Sequence, residues 1–109
     1  MIYHKNLLVI RILFENVSKR KIFGMYRPSA YMKESSNYCT TCRMDIVNNE
    51  IEPGGHVVTT AILEAPVGFG KFLNPGSVLS IRNGLDEEGR ALIVEILGYA
   101  DEITNIARE

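Results

Sequence analysis

Residues 38–47, YCTTCRMDIV, decide how this chain is read. They alternate strictly. Tyr38, Thr40, Cys42, Met44 and Ile46 fall on one side, and Cys39, Thr41, Arg43, Asp45 and Val47 on the other. A period of two, apolar on one face and mostly polar on the other, is that of a half-buried β-strand. The same stretch carries the only two cysteines, as Cys39-x-x-Cys42, in a chain whose two histidines are His4 and His56. The competing reading is a zinc site or a redox dithiol. In an alternating strand, however, residues i and i+3 point to opposite faces, and a bulge would be needed to bring the two thiols together. No second Cys-x-x-Cys and no His-x-x-x-His accompanies them. Cys42 therefore reads as a small buried apolar residue and Cys39 as a partly exposed one. No metal and no cofactor is expected.

Working outward, residues 7–14 are apolar on both faces apart from Arg11, which predicts a mostly buried strand. Residues 15–24 read as a polar loop. Arg27-Pro28 forces an extended backbone, because the residue before proline is pushed out of the helical region. A short strand is expected at 29–33, and turns at 35–37, Asn48-Asn49 and Pro53-Gly54-Gly55. Residues 56–64 hold Val57, Val58, Thr59, Thr60 and Ile62, all strand-favouring. Residues 66–70 read as a loop, Asn74-Pro75-Gly76 as a tight turn, 77–83 as a strand, 84–89 as a hairpin loop and 90–97 as the last clear strand. Residues 101–108 can add a short C-terminal helix capped by Asp101. These short strands, with no 10–15-residue helical pattern between them, predict an all-β fold. The expected fold is one small antiparallel six-stranded β-barrel spanning residues 1–109. Its expected core is Leu8, Ile10, Ile12, Cys42, Met44, Ile46, Val58, Ile62, Leu79, Ile81, Val94 and Ile96.

Composition narrows the function classes. The chain has 109 residues, 12 basic and 13 acidic, with a net charge of −1. Such a balance produces no global field toward nucleic acid or anionic membrane. No apolar run approaches the ~20 residues of a membrane-spanning helix. Residues 7–14 read as a strand rather than the apolar core of a signal peptide, so the expected compartment is the cytoplasm, where the two thiols stay reduced. Gly68-Phe69-Gly70-Lys71 lacks the helix that a phosphate-binding loop requires. Neither G-x-S-x-G nor H-E-x-x-H occurs. Asp86, Glu87 and Glu88 sit in the expected hairpin loop, where solvation gives no reason for their pKa values to separate. An enzyme is therefore not expected. The remaining local signal is Lys19-Arg20-Lys21 followed by Tyr26, Arg27 and Lys33, cations beside aromatic rings of the sort that track a phosphate backbone and stack on bases.

The order of short segments resembles a known family. The run from Arg20 to Pro28 (RKIFGMYRP) is similar to the segment that opens the third, C-terminal β-barrel domain of bacterial elongation factor Tu, where a basic loop leads into Gly-Tyr-Arg-Pro. A Thr-rich strand follows, as at Thr40-Thr41, then a Pro-Gly turn as at Pro53-Gly54, and a Val/Thr strand as at 57–63. The run from Gly76 to Gly84 (GSVLSIRNG) resembles the family's Gly-x-x-hydrophobic-x-Ile-Arg-x-Gly. The resemblance covers residues 5–97. The chain departs from it at Met25, at Ser29-Ala30 and by an insert at 85–89. In the factor this domain contacts the T-stem backbone of tRNA and the neighbouring domains, and the matching positions here are residues 19–23 and Arg27. The nucleotide-binding domain has no counterpart, so GTP hydrolysis is not implied.

The resemblance implies a non-enzymatic binding protein. The favoured partner is a protein, with the chain acting as an immunity-type inhibitor in bacterial competition or as a regulator. The alternative is an RNA- or tRNA-backbone-binding module, and behind both stands a zinc or redox protein using Cys39 and Cys42. The candidate contact residues are Lys19, Arg20, Lys21, Phe23, Tyr26, Arg27, Asp86, Glu87 and Glu88. No oligomeric state follows from the sequence.

Overall fold

The computed structural model describes residues 7–32 and 35–99. His4, Lys33 and the helix expected at 101–108 lie outside the described residues. Seven strands follow one another: β1 (Leu8–Asn16), β2 (Ile22–Tyr26), β3 (Ser29–Met32), β4 (Ser35–Ile51), β5 (His56–Leu63), β6 (Val78–Asn83) and β7 (Asp86–Tyr99), with a 3-10 segment at Pro66–Phe72 between β5 and β6. All pairings are antiparallel. The order β4-β3-β6-β7-β1-β5 closes on itself through a short β4–β5 pairing, which makes a closed six-stranded barrel. β2 and the far half of β4 form a two-stranded ribbon beyond it. Among the described residues no helix is long and apolar enough to cross a membrane.

The alternation of residues 38–46 holds: Cys42, Met44 and Ile46 are buried, and Cys39 and Asp45 are exposed. β4 is longer than the sequence predicts, and Asn48-Asn49 lies within it rather than in a turn. β2 occupies the end of the expected loop 15–24, because Ile22 is drawn into the core. The turn between β6 and β7 shrinks to Gly84-Leu85. Gly84, at φ 66°, takes the left-handed conformation that the first position of a two-residue hairpin loop requires. The loop expected at 66–70 is a 3-10 segment that plugs one end of the barrel. Phe69 is fully buried and meets the Tyr38 ring edge-on at 5.1 Å. Ala65 N–H donates to Thr40 Oγ1 at 2.8 Å, and Tyr38 OH donates to Ala65 C=O.

Eight of the twelve expected core residues are buried; Val58, Ile62, Val94 and Ile96 are not. β5 turns Ala61 and Leu63 inward, one position out of step with the larger Val58 and Ile62. On a strand of period two, a slip of one residue exchanges the faces. β7 buries Ala91 and Ile93, and shifts of register opposite Arg11/Ile12 and Val9/Ile10 then turn its far half. Phe14, Phe69, Ile10, Ile12, Leu79 and Ile81 fill the middle. Each such side chain contributes about 1.5–3 kcal/mol by leaving water.

Two measurements check this register. Ile93→Ala should cost about 2–5 kcal/mol in denaturant unfolding, whereas Val94→Ala should stay within about 0.5 kcal/mol; equal effects would contradict the assignment. Gly89 lies against Phe14, and a Cβ there would sit 2.3 Å from the ring and 2.9 Å from the Glu15 carbonyl. Gly89→Ala should therefore destabilise by about 2–3 kcal/mol.

Candidate functional site

The basic loop and the acidic run, far apart in sequence, meet at one end of the barrel. Asn16, the last residue of β1, organises that end. It is fully buried, and all of its side-chain valences are used. Nδ2 donates to the carbonyls of Arg20 (2.7 Å) and Ile51 (2.8 Å), while Oδ1 accepts from Ser18 N–H (2.9 Å) and Ser18 Oγ–H (2.6 Å). Its main chain exchanges hydrogen bonds with Gly54 and Gly55. Residues 17–20 are thereby fixed against β1, and Val17 N–H ties them to Glu88 C=O at 3.0 Å.

Glu88 does not lie in an exposed loop. The β6–β7 register jumps between Ile81 and Arg82, which pair with Gly89 and Glu87, so Glu88 is the extra residue of a β-bulge. A bulge re-aims a side chain, and here it turns the carboxylate inward until the residue is only 7% exposed. Arg20 grips it with two bonds, Nε to Oε2 at 3.1 Å and Nη2 to Oε1 at 2.9 Å. Tyr26 OH also donates to Oε1. The Tyr26 ring lies edge-on to Phe14 at 6.0 Å and under the Arg20 guanidinium at 5.9 Å. Burial opposes ionisation of Glu88, but the bonds from Arg20 and Tyr26 outweigh it and hold the carboxyl below its ordinary value. Burial, then the bond to Glu88, pushes the Tyr26 phenol up.

Of the other candidates, Lys21 and Glu87 are also engaged within the chain. Lys21 Nζ pairs with Glu50 (2.9 Å) and Glu52 (3.4 Å), whose carboxylates, Glu50 first, raise its pKa. Glu87 accepts from Ser80 Oγ at 2.7 Å and from Arg90 at 3.3 Å. Lys19, Arg27 and Asp86 are exposed and make no ion pair among the described residues. Phe23 is 62% exposed, and Leu85, at the hairpin tip, 96%. An open groove of about 690 Å³ is lined by residues 17–20 and 85–88. Sequence reasoning missed Asn16, Glu50 and Glu52. Only Asn16 carried a signal, since Asn-x-Ser at a strand end is the pattern of a side chain that bonds the backbone two residues on.

The cysteines lie on opposite faces of β4, Cys39 exposed and Cys42 buried. Burial pushes the Cys42 thiol up to about 12. Among the described residues no three His, Cys, Asp or Glu side chains gather to hold a metal ion. The chain matches no protein-family model, and no curated protein matches it.

Two outcomes follow from this geometry. Glu88→Gln removes a charge-assisted bidentate pair whose cation is half exposed, so it should cost about 1–2 kcal/mol rather than the full price of a buried ion pair. Because the folded-state pKa of Glu88 lies below the ordinary 4.5, its contribution is complete above that value and fades as pH falls through the folded one. Stability curves of the wild type and Glu88→Gln should therefore converge in acid. With iodoacetamide under mildly alkaline native conditions, Cys39 alone should react, and Cys42 only after unfolding.

Proposed function

We propose that this chain is a non-enzymatic binding module with a barrel of the kind that closes elongation factor Tu, and that its partner is a protein. The observation that supports this is the internal neutralisation of the basic loop. Arg20 is committed to Glu88 and Lys21 to Glu50 and Glu52. Phosphate binding draws its free energy from cations that release counterions, and two of the three consecutive cations are already paired within the chain. What the same end offers is Leu85, almost wholly exposed, beside Asp86 and the groove behind them. An apolar tip flanked by charge suits a protein surface better than a phosphate backbone. An immunity-type inhibitor or a regulator fits such a contact.

The salt dependence of RNA binding separates this from the RNA alternative. If binding runs through this end, where Lys19 and Arg27 are the candidate cations that make no ion pair among the described residues, the log–log salt slope for a duplex RNA stem should not exceed about −1.8, and titration of tRNA at low salt should show no saturable binding at micromolar protein. Micromolar binding with a steeper slope, abolished by Lys19→Ala with Arg27→Ala, would overturn the protein-partner reading. A partner drawn from the producing cells should stay bound at high salt and be released by Leu85→Asp.

A further inference from the structure

The outer face of the barrel wall carries an apolar row. Pairing across four neighbouring strands sets Val58 on β5 opposite Leu13 on β1, Leu13 opposite Leu92 on β7, and Leu92 opposite Val78 on β6. Residues directly opposite one another on adjacent strands share a face and touch. Val58 is 57% exposed and Val78 48%, Leu92 is exposed and Leu13 half-buried. Val94 extends the patch. It is the extra residue of the bulge facing Arg11 and Ile12, and it stands exposed next to Glu95. Scattered exposed apolar residues need no explanation, but a contiguous patch rimmed by polar groups marks an interaction site.

The charges that flank the row alternate in sign. Along β1 the outward residues run Arg11, Leu13, Glu15; opposite them along β7 they run Glu95, Leu92, Arg90. Arg11 pairs with Glu95 and Arg90 with Glu87, while Glu15 makes no ion pair among the described residues. The two cations lie on one diagonal of this square and the two carboxylates on the other, so the face does not attract a surface of a single sign. It is complementary to itself. When two copies meet face to face with their strands aligned, a two-fold axis along the apolar row sets Arg11 over the partner's Glu15 and Glu95 over the partner's Arg90. A two-fold axis along the strands sets Arg11 over the partner's Glu95 and Glu15 over the partner's Arg90. Either axis stacks Leu13 and Leu92 at the centre, whereas a perpendicular crossing of the strands would set like charge over like.

We infer that the outer face of β1 and β7 is a contact between two copies of this chain, apolar row against apolar row with the strands aligned. A two-fold contact requires one patch that complements itself, and packed sheets keep their strand directions close to one another. The barrel wall curves away on either side. Leu13, Leu92, Val94 and the four charges therefore make the contact, with Val58 and Val78 at its margins. A contact of that size gives a weak, transient dimer rather than an obligate one. The face shares no residue with the groove at the barrel end, so the inference goes beyond the protein-partner reading and does not depend on it.

Sedimentation equilibrium and methyl NMR across a concentration series test the inference. The wild type should pass from monomer toward dimer between roughly 10 μM and roughly 1 mM. Over that range the methyl signals of Leu13, Leu92 and Val94 should shift, while those of Val67 and Leu85, exposed elsewhere, should not. A monomer throughout overturns the inference. Glu15→Arg, Arg11→Glu and Arg90→Glu change exposed positions, so each should keep the wild-type circular dichroism and raise the dissociation constant by about tenfold or more; a dimer indifferent to all three overturns the inference. Mixing Glu15→Arg with Arg11→Glu should restore association if the axis runs along the row, and mixing Glu15→Arg with Arg90→Glu if it runs along the strands. Restoration by neither mixture overturns the inference. Leu85→Asp should leave the dimer unchanged, and a dimer lost with Leu85→Asp but kept with Glu15→Arg belongs to the barrel end and overturns it as well.

Discussion

Three residue pairs turn a curved sheet into a barrel. Cys42–Leu63, Arg43–Ile62 and Met44–Ala61 are the whole seam between β4 and β5, and without them the order β4-β3-β6-β7-β1-β5 would leave two long edges open. Closure brings inward-facing Cys42, Met44, Ala61 and Leu63 together with Ile10, Ile12 and Ile81, none more than 1% exposed. The seam is also where β4 changes partner. Up to Met44 it belongs to the barrel wall; beyond it, paired with β2, it belongs to the ribbon. One strand serves both the barrel wall and the ribbon.

The barrel end depends on a second constraint, the need to satisfy a buried carboxylate. Leaving Glu88 unpaired in a nearly dry position would cost several kcal/mol. Arg20 and Tyr26 meet that need, and Asn16 holds the loop so that Arg20 can reach. Arg20 thus works as a staple between the basic loop and the β7 bulge. This changes what the cationic run means: two of its three charges are neutralised within the chain, and only Lys19 of the three has no ion-pair partner among the described residues.

Much of the fold was legible in the sequence because strands carry their own period. YCTTCRMDIV gave the buried face of β4 correctly, and β1, β3, β5 and β6 fell within about two residues of their observed bounds. Other features depended on pairing, which one strand alone does not encode. β5 carries apolar residues on both faces, Val57, Ala61 and Leu63 on one and Val58 and Ile62 on the other, so size alone pointed to the wrong side. β7 carries register shifts at Glu88, Val94 and Leu97 that break its alternation. The same bulges hid the candidate site: a Glu in an acidic run reads as solvated until the extra residue turns it into the core. Ile22 illustrates tertiary override, a lone apolar residue after three cations whose burial made a strand of an expected loop.

The narrowness of the barrel means that any contact with another molecule has to be made outside it. A barrel of about eight strands has an interior that side chains just fill or that holds one small ligand, and six strands leave room for their own side chains alone. Here Phe14 and Phe69 together with the aliphatic residues occupy the lumen completely, and the 3-10 segment plugs one end. A fold of this size can present loop tips, outward side chains and backbone edges, and little else. Loop tips and side chains can be altered one residue at a time, but an edge is a product of topology. β4 pairs with β3 and β2 along one edge and with β5 over three residues of the other, so the strand that closes the core also carries the ribbon beyond it.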